Sequence, residues 1–216
     1  LEKIIKNLYL KRKSTSFTSA FFGINLTDTY EYKNADIIHL HWLGKTFINL
    51  DFFIKCKKPI VFSLRDMWFF TGGCHYTLGC QKFKKICNKC PQLGSNFRYD
   101  LSYKSHQRKF LFFNKQINII AVSKWIKKKF KDSSIGKKNF KIKIIENIAN
   151  IKNFYPEKKT DLYKKVKSRF KNKKIIIYGA TNISAKYKGF NHFVEIIKKL
   201  DKKKIWDIDF WKFLGK

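Results

Sequence analysis

The chain predicts an α/β fold built on a parallel sheet with helices wound on both of its faces. Three observations carry that expectation. Short β-branched apolar runs recur along the sequence, each bounded by polar, proline or glycine residues. They are continuously apolar rather than alternating, which suits strands covered on both faces. Between them lie stretches with apolar residues at helical spacing, so strand and helix alternate.

The strands are expected at 37–40 after Asp36, at 60–64 after Pro59, at 117–122, at 142–145 and at 175–178. Residues 45–55 (KTFINLDFFIK) have the spacing of an amphipathic helix. Residues 102–115 (SYKSHQRKFLFFNK) are expected to form a helix with Phe110, Leu111 and Phe113 turned to a core. Ser123 stands where an N-cap belongs, ahead of a helix carrying Trp125, Ile126 and Phe130. Residues 190–200 place Phe190, Phe193, Val194, Ile197 and Leu200 on one helical face. A last strand is expected at 205–213.

Two stretches interrupt the alternation. Residues 66–100 hold glycines and four of the five cysteines with no clean period, and read as a long functional loop. Residues 147–160 carry Pro156, and a domain boundary is expected near 155–172. The expected organisation is a first Rossmann-like domain over 1–155, a linker over 156–172, and the incomplete start of a second domain over 173–216.

The 216 residues include 48 Lys and Arg against 15 Asp and Glu, a net charge of +33. With 44% hydrophobic and 17% aromatic residues there is apolar mass for a real core, which excludes a disordered tail. No apolar run approaches the ~20 residues of a membrane-spanning helix. The start lacks the layout of a signal peptide, so the chain reads as soluble and cytoplasmic, with weak attraction to an anionic membrane surface as a second effect of its charge. The excess is mostly Lys spread along the chain, and Arg, the better fork for phosphates and bases, is scarce. Nucleic acid is therefore the less favoured partner, although a zinc-clipped basic nucleic-acid-binding module stands as the alternative reading.

In a parallel sheet, ligands bind at the carboxyl ends of the strands. The residues just past those ends are His39, His41 and Trp42, then Arg65, Asp66 and Trp68, then Ser123 and Lys124, then Glu146 and Asn147, and finally Gly179 and Ala180. Gly179, with Lys188 and Gly189 opening the next helix, has the makings of a phosphate turn: backbone N–H groups approach closely and a lysine adds a point charge. Cys74, Cys80, Cys87 and Cys90 crowd into the long loop. The two-residue gap between Cys87 and Cys90 lets two thiolates grip one metal ion, and the other two would complete a four-thiolate structural zinc site. Disulfides and plain buried thiols stay open as rivals.

These residues also carry a resemblance. The run from Ala35 to Trp42, the run from Lys58 through Asp66, Trp68 and Gly72-Gly73-Cys74-His75-Tyr76, the Cys87…Cys90-Pro91-Gln92-Leu93-Gly94 segment and Val122-Ser123-Lys124-Trp125 resemble a bacterial family 4 glycosyltransferase (glycosyl transferases group 1). So do the stretch from Asn147 to Pro156 and the turn from Gly179 to Phe190. The resemblance implies a GT-B fold, two Rossmann-like domains across a cleft. It implies transfer of a sugar from a nucleotide-sugar donor to a glycan or lipid-linked acceptor, with retained configuration and no catalytic metal, in the building of lipopolysaccharide, capsule or other surface polysaccharide at the inner face of the membrane. His41, Arg65 and Asp66 would stand at the reacting sugar with Trp68 beside them, and Gly179, Lys188, Gly189, Ser123 and Lys124 would face the donor. Arg65 stands where the family often has His, Ala180 where it has Arg, and Ile148 where it has Gly. The family's opening glycine-rich strand and its downstream pair of glutamates have no counterpart here, so the expectation is a truncated or partial transferase, inactive by itself.

Overall fold

The computed structural model describes residues 7–13, 16–44, 47–113, 116–155, 161–169, 176, 178–180, 182–183 and 185–202. The chain divides into two compact units, Leu1–Ile148 and Ala149–Lys216. The first is an α/β unit with a Rossmann-like four-stranded parallel sheet. Its strands are β1 (Ile38–Leu40), β2 (Ile60–Leu64), β3 (Ile117–Ala121) and β4 (Ile142–Ile144), in the order β1-β2-β3-β4. Ile38 pairs Ile60, Ile60 pairs Ile117 and Ile119 pairs Ile142, so the carboxyl ends of all four strands lie along one rim.

Helix α1 (Tyr30–Asn34) precedes β1, and the connections between the strands include α2 (Phe52–Lys55), α3 (Leu101–Phe112) and α4 (Lys124–Asp132). The sequence dictates their ends. Thr29 caps α1 by accepting from the Tyr32 N–H, Asp100 caps α3 by accepting from the Tyr103 N–H, and Ser123 caps α4 by accepting from the Ile126 N–H as expected. The core is strongly aromatic. Phe69 stacks on Phe113 at 4.2 Å between ring centroids and meets Phe62, Phe130 and Phe140. Such offset and edge-on ring pairs add specificity to the burial itself.

Two helical expectations are corrected. Of residues 45–55, only Phe52–Lys55 is described as helix. Residues 47–50 are instead drawn toward the N-terminal segment: Ile48 bridges Ile24, and the Leu50 N–H donates to the Ala20 carbonyl. Ile48 and Leu50 are buried by that tie rather than by a helical stripe, and Phe47 is left half-exposed. In α3, Phe113 is buried as expected, but Phe110 is exposed and Leu111 is 70% exposed. The inner face of α3 is Leu101, Ser102, Ser105, His106 and Lys109. It meets polar groups: Lys109 and Ser102 meet the backbone of the 66–100 loop, Ser105 donates to the Ser19 carbonyl, and His106 meets the Ser134 hydroxyl.

The second unit contains helices α5 (Asp161–Arg169) and α6 (Phe190–Lys202). On α6, Phe190, Phe193, Val194, Ile197 and Leu200 form the less exposed face, and Tyr178 stacks on Phe193 at 5.0 Å. The strand expected at 175–178 falls largely, and the one at 205–213 wholly, outside the described residues.

Candidate functional site at the sheet rim

The rim assembles side chains from β1, β2, β4 and the long loop. On β1 and just beyond it, His39 and His41 lie side by side with ring centroids 4.1 Å apart, as same-face neighbours two residues apart in a strand must. His39 Nε2 meets Ser63 Oγ of β2 at 2.9 Å. Arg65, one residue past β2, donates from Nε to His41 Nδ1 at 3.4 Å and from Nη1 to Asn147 Oδ1 at 3.0 Å. The guanidinium thus spans from the end of β1 to the segment after β4. Both of these partners are neutral, and among the described residues no carboxylate pairs with Arg65. Its charge is left to face an incoming anion. Partial burial, then the neighbouring His39 and Arg65, hold His41 below the usual histidine range. His41 is accordingly a neutral acceptor near pH 7.

Asp66 is turned inward. Its side chain is only 10% exposed, and both oxygens are engaged. Oδ1 accepts from the Trp68 N–H at 2.8 Å, and Oδ2 meets His75 Nδ1 at 2.6 Å. His75 Nε2 lies 3.1 Å from Thr18 Oγ1. The charge-assisted contact with Asp66 fixes the proton on Nδ1 and leaves Nε2 to accept from the threonine hydroxyl. The Trp42 indole N–H also lies 3.1 Å from His75 Nδ1, but a protonated nitrogen has no lone pair to offer it. Trp42 is therefore seated by contact: its ring lies 5.5 Å from that of His75, packs against Gly44 and is 46% exposed. Trp68, expected beside the sugar, is instead in the core, its indole N–H donating to the Thr18 carbonyl at 2.8 Å.

Beneath the rim, Lys109 of α3 is wholly buried. Its ammonium donates to the carbonyls of Trp68 at 2.5 Å and Thr71 at 3.1 Å and lies 3.6 Å from the centre of the Trp68 ring. These contacts close the loop as it leaves β2. Nothing in the pattern of α3 announces Lys109, and nothing announced Thr18. His75 was visible only as the residue beside Cys74.

The four loop cysteines line one pocket with Thr71, Lys82, Phe83 and Gln92 among its walls. All are free thiols. Cys74 and Cys90 are hydrogen-bonded thiol to thiol; that contact and burial push Cys74 well up, while the same bond and the Leu93 and Gln92 amides draw Cys90 down. Burial pushes Cys87 up to about 12. Among the described residues, no group of three or more His, Cys, Asp or Glu side chains stands placed to hold a metal ion.

Ser123 and Lys124 lie at the same rim, at the end of β3, with the Ser123 hydroxyl committed to its cap and Lys124 exposed. Gly179, Lys188 and Gly189 belong to the second unit. There Gly189 takes φ +74°, Lys188 is exposed, and the Tyr178 hydroxyl donates to the Lys188 carbonyl at 2.6 Å. The structure brings His41, Arg65 and Asn147 into one network, and Asp66, His75 and Thr18 into another beside it.

No family model matches the chain, and no solved structure matches it. Over 63 residues it is 36% identical to the putative colanic acid biosynthesis glycosyl transferase WcaC of Escherichia coli (strain K12). That stretch covers 27% of this chain and 16% of the relative. The chain therefore has a distant, partial resemblance to a glycosyltransferase of polysaccharide biosynthesis. No helix among the described residues is long and apolar enough to cross a membrane.

Proposed function

We propose that the chain forms the acceptor-side domain, and the beginning of the donor-side domain, of a transferase that moves a sugar from a nucleotide-sugar donor to a glycan or lipid-linked acceptor in surface polysaccharide biosynthesis. The observation that carries this reading is Arg65, a cation stretched across the rim between neutral partners, with the exposed face of Trp42 nearby. A sugar diphosphate needs both parts. Its diphosphate takes charge-assisted hydrogen bonds from a guanidinium, and the apolar face of a pyranose lies on an indole ring.

In this reading the donor diphosphate gains charge as its bond to the sugar breaks, and Arg65 opposes that charge. Neutral His41 accepts from Arg65 at Nδ1, so its Nε2–H donates to the oxygen of an acceptor hydroxyl turned toward the rim. Asp66 acts through His75, whose ring it orients against Trp42. Ser123 and Lys124 extend the basic lip, and the second unit, taken by itself, offers a phosphate turn in Lys188 with the Gly179 and Gly189 backbone. The partial match to a polysaccharide glycosyl transferase supports the reaction class. On α4, exposed Lys124, Lys128 and Lys131 flank Trp125, which is 57% exposed. That basic, aromatic surface supports peripheral contact with anionic lipid, where such acceptors reside.

The test is titration calorimetry of the full chain against a panel of uridine, guanosine and thymidine diphosphate sugars, with sugar-free diphosphates beside them. Binding that weakens about tenfold or more in Arg65→Ala supports the proposal. No binding to any member of the panel, or binding that Arg65→Ala leaves unchanged, overturns it.

A further inference from the structure

We propose that Cys74, Cys80, Cys87 and Cys90 form a structural zinc site that clips the 66–100 loop together and braces the rim above it. The proposal is independent of the transferase reading. It begins from a convergence. The four thiols come from three separate places in the loop and line one pocket, none in a disulfide. Cys74 and Cys90 are buried in one apolar cluster with Phe17, Leu93 and Leu101. Three are buried in a segment that has only short single-turn helices of its own. A loop with so little regular structure gains stability from a metal clip more than from any other device of that size.

The surroundings suit thiolate ligands. The Gly72 N–H donates to Cys87 Sγ at 3.2 Å, and the amides of Leu93 and Gln92 point at Cys90. N–H donors of this kind around sulfur are the supporting shell that metal-bound thiolates keep. Gly72 is required for the first of them: a Cβ there would stand 2.3 Å from the Ser102 carbonyl and 2.8 Å from Cys87 Cβ. Lys82 lines the pocket and buried Lys109 lies near Cys87, so two cations offset the charge of four thiolates around one dication. Asp100 stands near Cys90. It is spent on the Cys90 N–H at 2.7 Å and on capping α3, which fixes Cys90 to the helix.

His75 is not a fifth candidate. Its two ring nitrogens are taken by Asp66 and Thr18 on the other side of the loop. A four-sulfur set leaves no open position, which marks a structural rather than a catalytic ion. No three of the thiols stand together as ligands as the loop lies, so an ion has to draw the set in, Cys80 included. Cys80 is half-buried on the turn Thr77–Cys80, where its N–H bonds the Thr77 carbonyl, Leu78 takes φ +48° and Gly79 takes φ +92°. Nothing lies within 4 Å of where a Gly79 Cβ would stand, so the turn is not wedged in place.

The experiment is elemental analysis of the full chain, purified under reductant without chelator and equilibrated with buffered zinc. About one tightly held zinc per chain is expected. Replacement by cobalt should give the intense visible and sulfur charge-transfer bands of tetrahedral four-thiolate cobalt. The paired change Cys87→Ser and Cys90→Ser should reduce bound zinc at least about tenfold, while Cys56→Ser, outside the pocket, should leave it at wild-type stoichiometry. Failure of the reduced wild-type chain to take up zinc overturns the proposal. So does zinc retained by the paired variant, or a cobalt spectrum of nitrogen and oxygen ligation. The wild-type cobalt spectrum decides the matter even where the paired variant does not fold.

Discussion

Cys74 and His75 are adjacent in sequence and belong to opposite sides of one loop. On the Cys74 side, buried thiols face a pocket lined by Phe83 and Cys87, and nothing there reaches the rim. On the His75 side, an imidazole is held by Asp66 and Thr18 beneath a half-exposed indole. The backbone joins them: Cys74 bridges Phe17 and gives its carbonyl to Thr71 Oγ1 at 2.7 Å, and the His75 carbonyl takes the Met67 N–H at 3.0 Å. The comparison teaches that one side supplies rigidity and the other chemistry. Each can be broken separately to find out how far they depend on one another.

The largest effect is expected from Lys109, which sits under both sides. Lys109→Ala leaves the Trp68 and Thr71 carbonyls buried without their ammonium and opens a cavity beside the Trp68 ring. A loss of about 3–5 kcal/mol is expected. Urea denaturation followed by fluorescence measures it, and a loss below about 1 kcal/mol would mean that the loop stands without this lysine.

His106, one turn before Lys109, gives the next effect. Burial, with Lys109 nearby, holds its pKa at about 4 against an ordinary value of 6.5. Its Nδ1 is buried without a partner, and Nε2 lies 3.2 Å from Ser134 Oγ. Between those two values the unfolded chain binds a proton that the folded chain refuses. Stability is therefore fully present above about pH 6.5 and falls as pH drops toward 4, by about 3 kcal/mol in total from this group. His106→Gln should flatten that acid limb while keeping a partner for Ser134. An unchanged limb in the variant would assign the acid sensitivity elsewhere.

The imidazole side alone is broken by Asp66→Asn. The amide loses the charge assistance to His75 but keeps an acceptor for the Trp68 N–H. About 1–2 kcal/mol of stability should go. The zinc content proposed above should stay the same, because no thiol contact changes. Falling zinc in this variant would show that the two sides are one cooperative unit.

The contrast also explains what could be read in advance. Strands buried on both faces leave continuous apolar runs, and the residues that follow a strand must emerge at the rim; hence β1 to β4, His41 and Arg65 were legible. Asp66 was legible as a position but not as a role, since nothing in the chain shows that both its oxygens are spent inside. The inner face of α3 was illegible for a physical reason. Its neighbours are the carbonyls of Ser19, Trp68 and Thr71 and the Ser134 hydroxyl, so Ser102, Ser105, His106 and Lys109 face inward while Leu111 faces water. A pattern rule that equates apolar with inside inverts such a helix. Ile48 and Leu50 failed it too, because apolar side chains are equally buried in a segment pulled against Ala20 and Ile24.

The smallest structural effect with a functional consequence is expected at Gly44. A Cβ there would stand 2.0 Å from the Trp42 ring. Backbone would have to yield if that ring were locked, but Trp42 is half-exposed and bonded to no free lone pair, so the ring itself can swing away into solvent. Gly44→Ala should then cost under about 1 kcal/mol in stability. It should still remove the platform on which the proposed sugar rests. Loss of one ring contact of about 1 kcal/mol is roughly fivefold in affinity. Nucleotide-sugar binding should weaken by that factor while binding of the sugar-free diphosphate, which Arg65 governs, stays constant. Equal weakening of both would place the sugar away from Trp42 and confine the site to the Arg65 end of the rim.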